Sequence, residues 1–220
     1  MLRLEDEALL TGKGRYVADR RPEGTLTMAV LRSPLAHGTI RALDVAAARA
    51  MPGVRLVLTA ADLTAAGIGP LKVAGEVPNR DGSPMAVRHR PVLAEGTVRY
   101  AGEPVAAVIA DSEDRALDAL EAIVLDLDEL PVIVDLEQAA EPGAPKVWPE
   151  LPDNRSLDWE IGNREETERL FAEAAHVVEL TVRHPRIVIA PVETRGALGE
   201  YDAASGRYTL TTPSQGVVAI

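Results

Sequence analysis

The chain has 220 residues, 46% of them apolar and 26% charged, with a formal net charge of −11 and no cysteine. That length allows one large domain or two ordinary ones, and the balance is that of a globular chain, not a disordered one. The acidic balance argues against a duplex or polybasic lipid partner, and the missing thiols exclude disulfides, thiolate zinc sites and iron–sulfur ligation by this chain.

Only one Phe, two Trp and four Tyr are present, so aliphatic side chains must build the core. The N-terminus is charged from Arg3 onward and lacks the apolar centre of a signal peptide. No run is long enough to cross a bilayer. A soluble, cytoplasmic protein is expected.

In chain order, residues 26–31 read as a strand closed by Ser33-Pro34. Asp44 is placed to cap a helix running to Met51, which Pro52-Gly53 stops. Residues 54–58 form a second strand, and Thr59 caps a helix that ends at Gly67. From Gly69 to Arg90 glycines, prolines and charges break every period, giving a long irregular loop of the kind that often carries function. Such a loop is expected to help line an approach to a site.

Pro104–Ala110 is continuously apolar, as a strand covered on both faces should be. Asp111-Ser112 caps a helix whose Leu117, Leu120 and Val124 recur at helical spacing, and 124–128 returns as a strand. Four prolines between 141 and 152 suggest a stiff spacer. Asn163 with Glu166 opens a further helix in capping-box fashion, its buried face drawn from Leu170, Phe171 and Ala174. Residues 177–182 read as a strand. Residues 198–201 and 208–212 read as a hairpin turning at 203–206. The stretch after Asp158 is too short to bury a comfortable core alone, and the uncharged end at Val217-Val-Ala-Ile220 looks like the opening of something larger.

Few residues invite chemistry. Thr11-Gly-Lys-Gly14 lacks both the preceding strand and the Walker spacing of a phosphate loop, so a turn is the better reading. His37, His89, His176 and His184 have no ligand spacing. Glu103, just before the apolar strand, has the chemistry of a base but more commonly such a residue caps a turn. Glu193 and Arg195 lie on one side of an extended chain, as a structural ion pair would. Gln215 is a neutral amide in a charge-free segment and needs partners if buried.

Several separated stretches resemble a known family. They are Arg3-Leu-Glu-Asp-Glu-Ala-Leu-Leu-Thr-Gly-Lys-Gly-Arg-Tyr-Val17, Leu31-Arg-Ser-Pro-Leu-Ala-His37, Arg99-Tyr-Ala-Gly-Glu-Pro-Val-Ala106 and Leu130-Pro-Val-Ile-Val-Asp135. Pro191-Val-Glu-Thr-Arg-Gly-Ala-Leu-Gly-Glu-Tyr-Asp202 and Thr211-Thr-Pro-Ser-Gln215 continue them. Together, and in this order, they resemble the N-terminal portion of the large, molybdopterin-binding subunit of the xanthine dehydrogenase, aldehyde oxidase and carbon monoxide dehydrogenase family.

The resemblance implies an α/β (α+β) hammerhead domain over 10–140, a Pro-rich linker over 141–158, and an incomplete N-terminal part of the molybdopterin-binding domain over 159–220. It implies an oxidoreductase subunit that hydroxylates an aldehyde or heteroaromatic ring, or oxidises carbon monoxide, with oxygen from water. Such a portion is not competent alone. The alternative is a non-catalytic hammerhead module for assembly or binding. The cofactor implied is molybdenum with molybdopterin or molybdopterin cytosine dinucleotide, held mostly by sequence absent here. The expected partners are the remainder of the large subunit or a split partner chain, an FAD-binding medium subunit and a small subunit with 2Fe-2S clusters. One functional residue carries over: Gln215 matches the family glutamine whose amide hydrogen-bonds the apical molybdenum ligand. His184-Pro185, Ala190, Val192 and Thr194 depart from the residues common in relatives, which bears on the substrate class.

Overall fold

The computed structural model describes residues 4–73, 75–185 and 187–214. In order, the elements are α1 (Asp6–Leu10), a 3-10 turn (Val17–Asp19), β1 (Thr27–Arg32), β2 (Gly38–Asp44), α2 (Ala46–Arg49), β3 (Val54–Leu58) and α3 (Ala60–Ala65). Then come β4 (Thr97–Val98), β5 (Pro104–Ala110), α4 (Glu113–Glu121), β6 (Val124–Glu129), α5 (Leu136–Ala139), α6 (Arg164–Glu173), β7 (Leu198–Asp202) and β8 (Arg207–Thr211). The chain divides into two compact units, Leu26–Ala174 and Met1–Thr25 with Ala175–Ile220.

Unit Leu26–Ala174 is built on two three-stranded sheets, ordered β1-β5-β3 and β4-β2-β6. Every pairing is antiparallel. The period of two along β5 explains why it is apolar throughout. Ala106, Val108 and Ala110 enter one buried cluster with Val45, Ala48 and Val57 and with Ala116, Ala119 and Ile123. Val105 faces the other way, into a second cluster with Ala94 and Val98, against Ile40, Leu125 and Leu127. The strand–helix–strand order over 104–129 therefore holds, but its two strands belong to different sheets.

The buried side of α4 differs from the expected leucine stripe. Ala116 and Ala119 are fully buried, whereas Leu117 is 49% and Val124 61% exposed. Small side chains let the helix lie close to the sheet, and of the expected stripe only Leu120, partly buried, packs against this cluster. Ser112 caps α4 by accepting the Arg115 N–H, as its sequence position predicts. Thr59 and Asp62 form a full capping box on α3. The helix after Asp44 is shorter than expected: Asp44 closes β2 and its carboxylate accepts the Ala46 N–H at 2.9 Å.

Two strand irregularities follow one pattern. Arg41 has no partner between Ile40↔Leu127 and Ala42↔Asp126, and Arg55 has none between Val54↔Ala110 and Leu56↔Ile109. A bulge re-aims the extra side chain. Arg41 reaches Asp128 at 3.1 Å, and Arg55 reaches Asp111 at 2.6 Å.

Among its described residues, the irregular loop from 69 to 90 carries only isolated bridges, Leu71↔Arg90 and Pro78↔Pro84. The Pro-rich stretch does not stand free of it. Arg80 and Ala86 donate their backbone N–H groups to the carbonyls of Asp158 (2.8 Å) and Ser156 (2.9 Å), and the Asp158 N–H donates to Asn79 Oδ1 at 2.8 Å. Asn154 ties the stretch to itself, donating to the carbonyls of Ala139 and Pro145 and accepting the Val147 N–H. Asn163 caps α6 by accepting the Glu166 N–H, but the reciprocal half of the expected capping box is not formed, the Glu166 carboxylate accepting from Arg169 instead. The expected buried face of α6 is not there: Leu170 is 53% and Phe171 60% exposed, and Ala174 is exposed too.

In the other unit, β7 and β8 form the predicted hairpin, with Asp202 accepting from Ala204 N–H and Ser205 Oγ in the turn. Thr11-Gly-Lys-Gly14 is a turn closing α1, with Gly12 at φ +69° and the Lys13 N–H on the Ala8 carbonyl. The strand expected over 177–182 is absent. That segment takes no ladder partner among the described residues, and Val178 and Leu180 are 90% and 81% exposed.

Candidate functional site

Three side-chain contacts among the described residues help to hold the segment leading to Gln215, all within one unit. The half-buried Glu193 accepts the Val17 N–H on Oε1 at 3.1 Å. Arg20 donates to Thr211 Oγ1 at 3.3 Å, and Thr212 donates its hydroxyl to the Gly196 carbonyl at 3.0 Å. Stretches that are far apart in sequence, ending at Val17, starting at Pro191 and starting at Thr211, thus converge. The predicted Glu193–Arg195 ion pair is replaced by this backbone contact; Arg195 is exposed. Gln215 itself lies outside the described residues.

A second polar group is buried in the sheet unit. Ser33, His37 and Glu103 are 3%, 8% and 3% exposed. Glu103 sits in the turn between β4 and β5, where its Oε2 accepts the Arg99 N–H. Its backbone carbonyl accepts from Ser33 N–H at 2.9 Å, and its own N–H donates to Tyr100. All of this is turn capping, by a carboxylate almost closed off from solvent. Gly102, at φ +87°, supplies the left-handed corner the turn needs.

His37 faces the Pro131 carbonyl through Nδ1 at 2.8 Å. A carbonyl only accepts, so Nδ1 carries the proton. Nε2 is buried without a partner among the described residues. No group of three or more His, Asp or Glu side chains among the described residues could hold a metal ion.

Arg99 extends this cluster outward. Its guanidinium lies 3.7 Å from the centroid of the Trp148 ring, and Nη1 donates to the Thr97 carbonyl at 3.2 Å. Burial pulls its pKa below the ordinary arginine value, while Glu103 and Glu150 oppose that pull. Nothing in the sequence pointed to this stack, because Trp148 falls in the stretch read as a spacer.

Comparison with known proteins identifies the framework. Residues 11–131 match the model of the a/b hammerhead domain of aldehyde oxidase and xanthine dehydrogenase. The chain belongs to the aldehyde oxidase and xanthine dehydrogenase family. Residues 147–220 of this family member match the molybdopterin cofactor-binding domain. Among relatives, the nicotine 6-hydroxylase large subunit of Paenarthrobacter nicotinovorans is 36% identical over 97% of this chain and 25% of its own length. The carbon monoxide dehydrogenase large chain of Hydrogenophaga pseudoflava is 36% identical over 96% of this chain and 26% of its own.

Solved structures agree on the fold of this hammerhead family member. Quinoline 2-oxidoreductase from Pseudomonas putida 86 superposes with a TM-score of 0.81 at 37% identity, covering 98% of this chain and 26% of that one. The Cu,Mo-CO dehydrogenase gives 0.80 at 33% identity, covering 96% and 27%. The chain spans about a quarter of the length of the relatives it matches. The order of motifs read from the sequence, and the α+β hammerhead fold they implied, are those of the family.

Proposed function

We propose that this chain serves as the N-terminal portion of a molybdenum hydroxylase large subunit, an oxidoreductase acting on an aldehyde or heteroaromatic substrate, or on carbon monoxide, with oxygen from water. The observation that carries the reading is the pair of family regions in order, hammerhead at 11–131 and molybdopterin-binding at 147–220. Exposed apolar side chains support it as well. Val178, Leu180, Ile187 and Val188 are 78–91% exposed, a surface that suits further sequence of the same subunit packed on top.

When bound, the molybdenum cofactor, as molybdopterin or its cytosine dinucleotide, supplies the two-electron redox chemistry. This chain's part would be placement. The proposed contact is the amide of Gln215, a neutral donor toward an oxygen ligand, with Thr212 and Glu193 fixing the backbone that leads to it. Onward electron transfer would use 2Fe-2S clusters and FAD on small and medium partner subunits, in a cytoplasmic complex. No helix among the described residues is long and apolar enough to cross a membrane.

The test is to assemble the complete large subunit with its partner subunits and measure molybdenum content and heavy-oxygen transfer from labelled water to product. Gln215→Ala in that assembly should lower turnover while molybdenum content stays near its normal level. An assembly that forms but retains no molybdenum overturns the reading and favours the non-catalytic assembly module.

A further inference from the structure

The contacts of the Pro-rich stretch fall into two kinds. Arg88–Glu150 (3.0 Å) and Arg80–Asp158 (3.0 Å) join it to the long loop, but each pair is a third to a half exposed. Exposed ion pairs are worth little and are screened by salt. The Arg99–Trp148 stack differs. It lies where Arg99 is partly desolvated, and the Arg99 backbone is pinned by the buried Glu103. A cation over an indole gains strength as water is excluded.

We infer that residues 145–160 form a strap that opens and closes as one unit over the 75–90 loop, with Arg99 over Trp148 as its latch. Several features make the strap a unit. Asn154 closes its base, and the backbone bonds from Arg80 and Ala86 hold its length. Between strap and loop lies a cleft lined by Met85, Val87, Val147, Trp148 and Leu151. Neither buried cluster of the sheets includes a strap residue. Opening therefore costs the sheets no core contact, which is the condition for local rather than global unfolding. Glu103 acts as a positioning residue, setting the Arg99 backbone from which the latch projects.

Amide hydrogen exchange on the whole chain tests this, read along β5 for the core and, as the strap amides, at Asp158 and at the loop's Arg80 and Ala86, whose N–H groups bond to the strap. Trp148→Ala and Arg99→Lys should each speed exchange at the strap amides about tenfold, leaving β5 unchanged, and Trp148→Phe should restore most of the protection. Raising salt should have a smaller effect than either substitution. Strap exchange unchanged in both variants overturns the latch. If the variants lose β5 protection and so fail to fold, exchange of the unmodified chain in increasing urea decides. The strap amides must open together, at lower urea than β5; a single shared transition overturns the strap as a separate unit.

Discussion

Glu193 accepts the backbone N–H of Val17 at 3.1 Å, joining positions that lie 176 residues apart. The contact explains why an acidic residue stands within Pro191-Val-Glu-Thr-Arg195. An amide N–H in the loop after Gly14 needs an acceptor, and a carboxylate makes a stronger one than a neutral group. Glu193→Ala should cost about 1 kcal/mol and raise exchange at Val17 selectively. Glu193→Gln, which keeps an acceptor oxygen, should recover much of the loss. Equal exchange in all three chains would falsify the role.

Glu103 makes the same kind of contact in a drier place. Glu103→Ala strands the Arg99 N–H and opens space in a turn that is 3% exposed at this residue. A loss of about 1–3 kcal/mol is expected for a buried group left unpaired. Glu103→Gln should lose less. Urea denaturation of the three chains reads the order directly.

The close approach of α4 to the first sheet sets a contrast between neighbours. Ala119 is fully buried and Leu117 is 49% exposed. Ala119→Leu should destabilise by about 1–3 kcal/mol through overpacking, whereas Leu117→Ala should cost less than about 1 kcal/mol. The reverse order of thermal midpoints would show that the helix presents its leucine face.

Two carboxylates give the sheet unit an acid-sensitive component. Asp62 is held below the usual aspartate value, chiefly by the Thr59 hydroxyl and then the Thr59 N–H, with Arg49 assisting. Asp111 is held low chiefly by the hydrogen bond from Arg55. A depressed folded value stabilises fully above the unfolded pKa of about 3.9 and loses that contribution as pH falls through the folded value. Asp62→Asn should therefore be less stable than the unmodified chain at pH 7 and converge with it in strong acid. A difference that persists undiminished in acid would assign the loss to packing instead.

Legibility tracked the range of the interaction. Caps and turns act within a few residues, so Thr59, Ser112, Asn163 and the 203–206 turn were readable. The strand at 104–110 was readable because two burying faces leave no polar alternation. Its sheet was not, since periodicity says nothing of which distant strand is the neighbour. The buried side of α4 was legible only at Leu120, because hydrophobicity favours leucine while close packing on a sheet favours alanine. Leu170 and Phe171 mark a helix face that stands exposed here, and 177–182 has strand composition without a ladder partner among the described residues. The latch at Trp148 and the Val17–Glu193 contact left no local mark at all. Gln215 was legible only through family resemblance, because a lone amide carries no pattern.

Among the described residues β1 and β3 each pair only with β5, and β2 only with β4 and β6, so β1, β2 and β3 are synthesised before any of these ladder partners. Until residue 110 is synthesised, β1 and β3 stay unpaired, and β2 waits for β6 as far as residue 129. Closure then depends on distant pairings such as Thr27 with Ala110, the slow kind. The central position of one strand thus gives everything before it no fold of its own to reach, and a truncation before β5 should yield aggregate instead of a smaller fold.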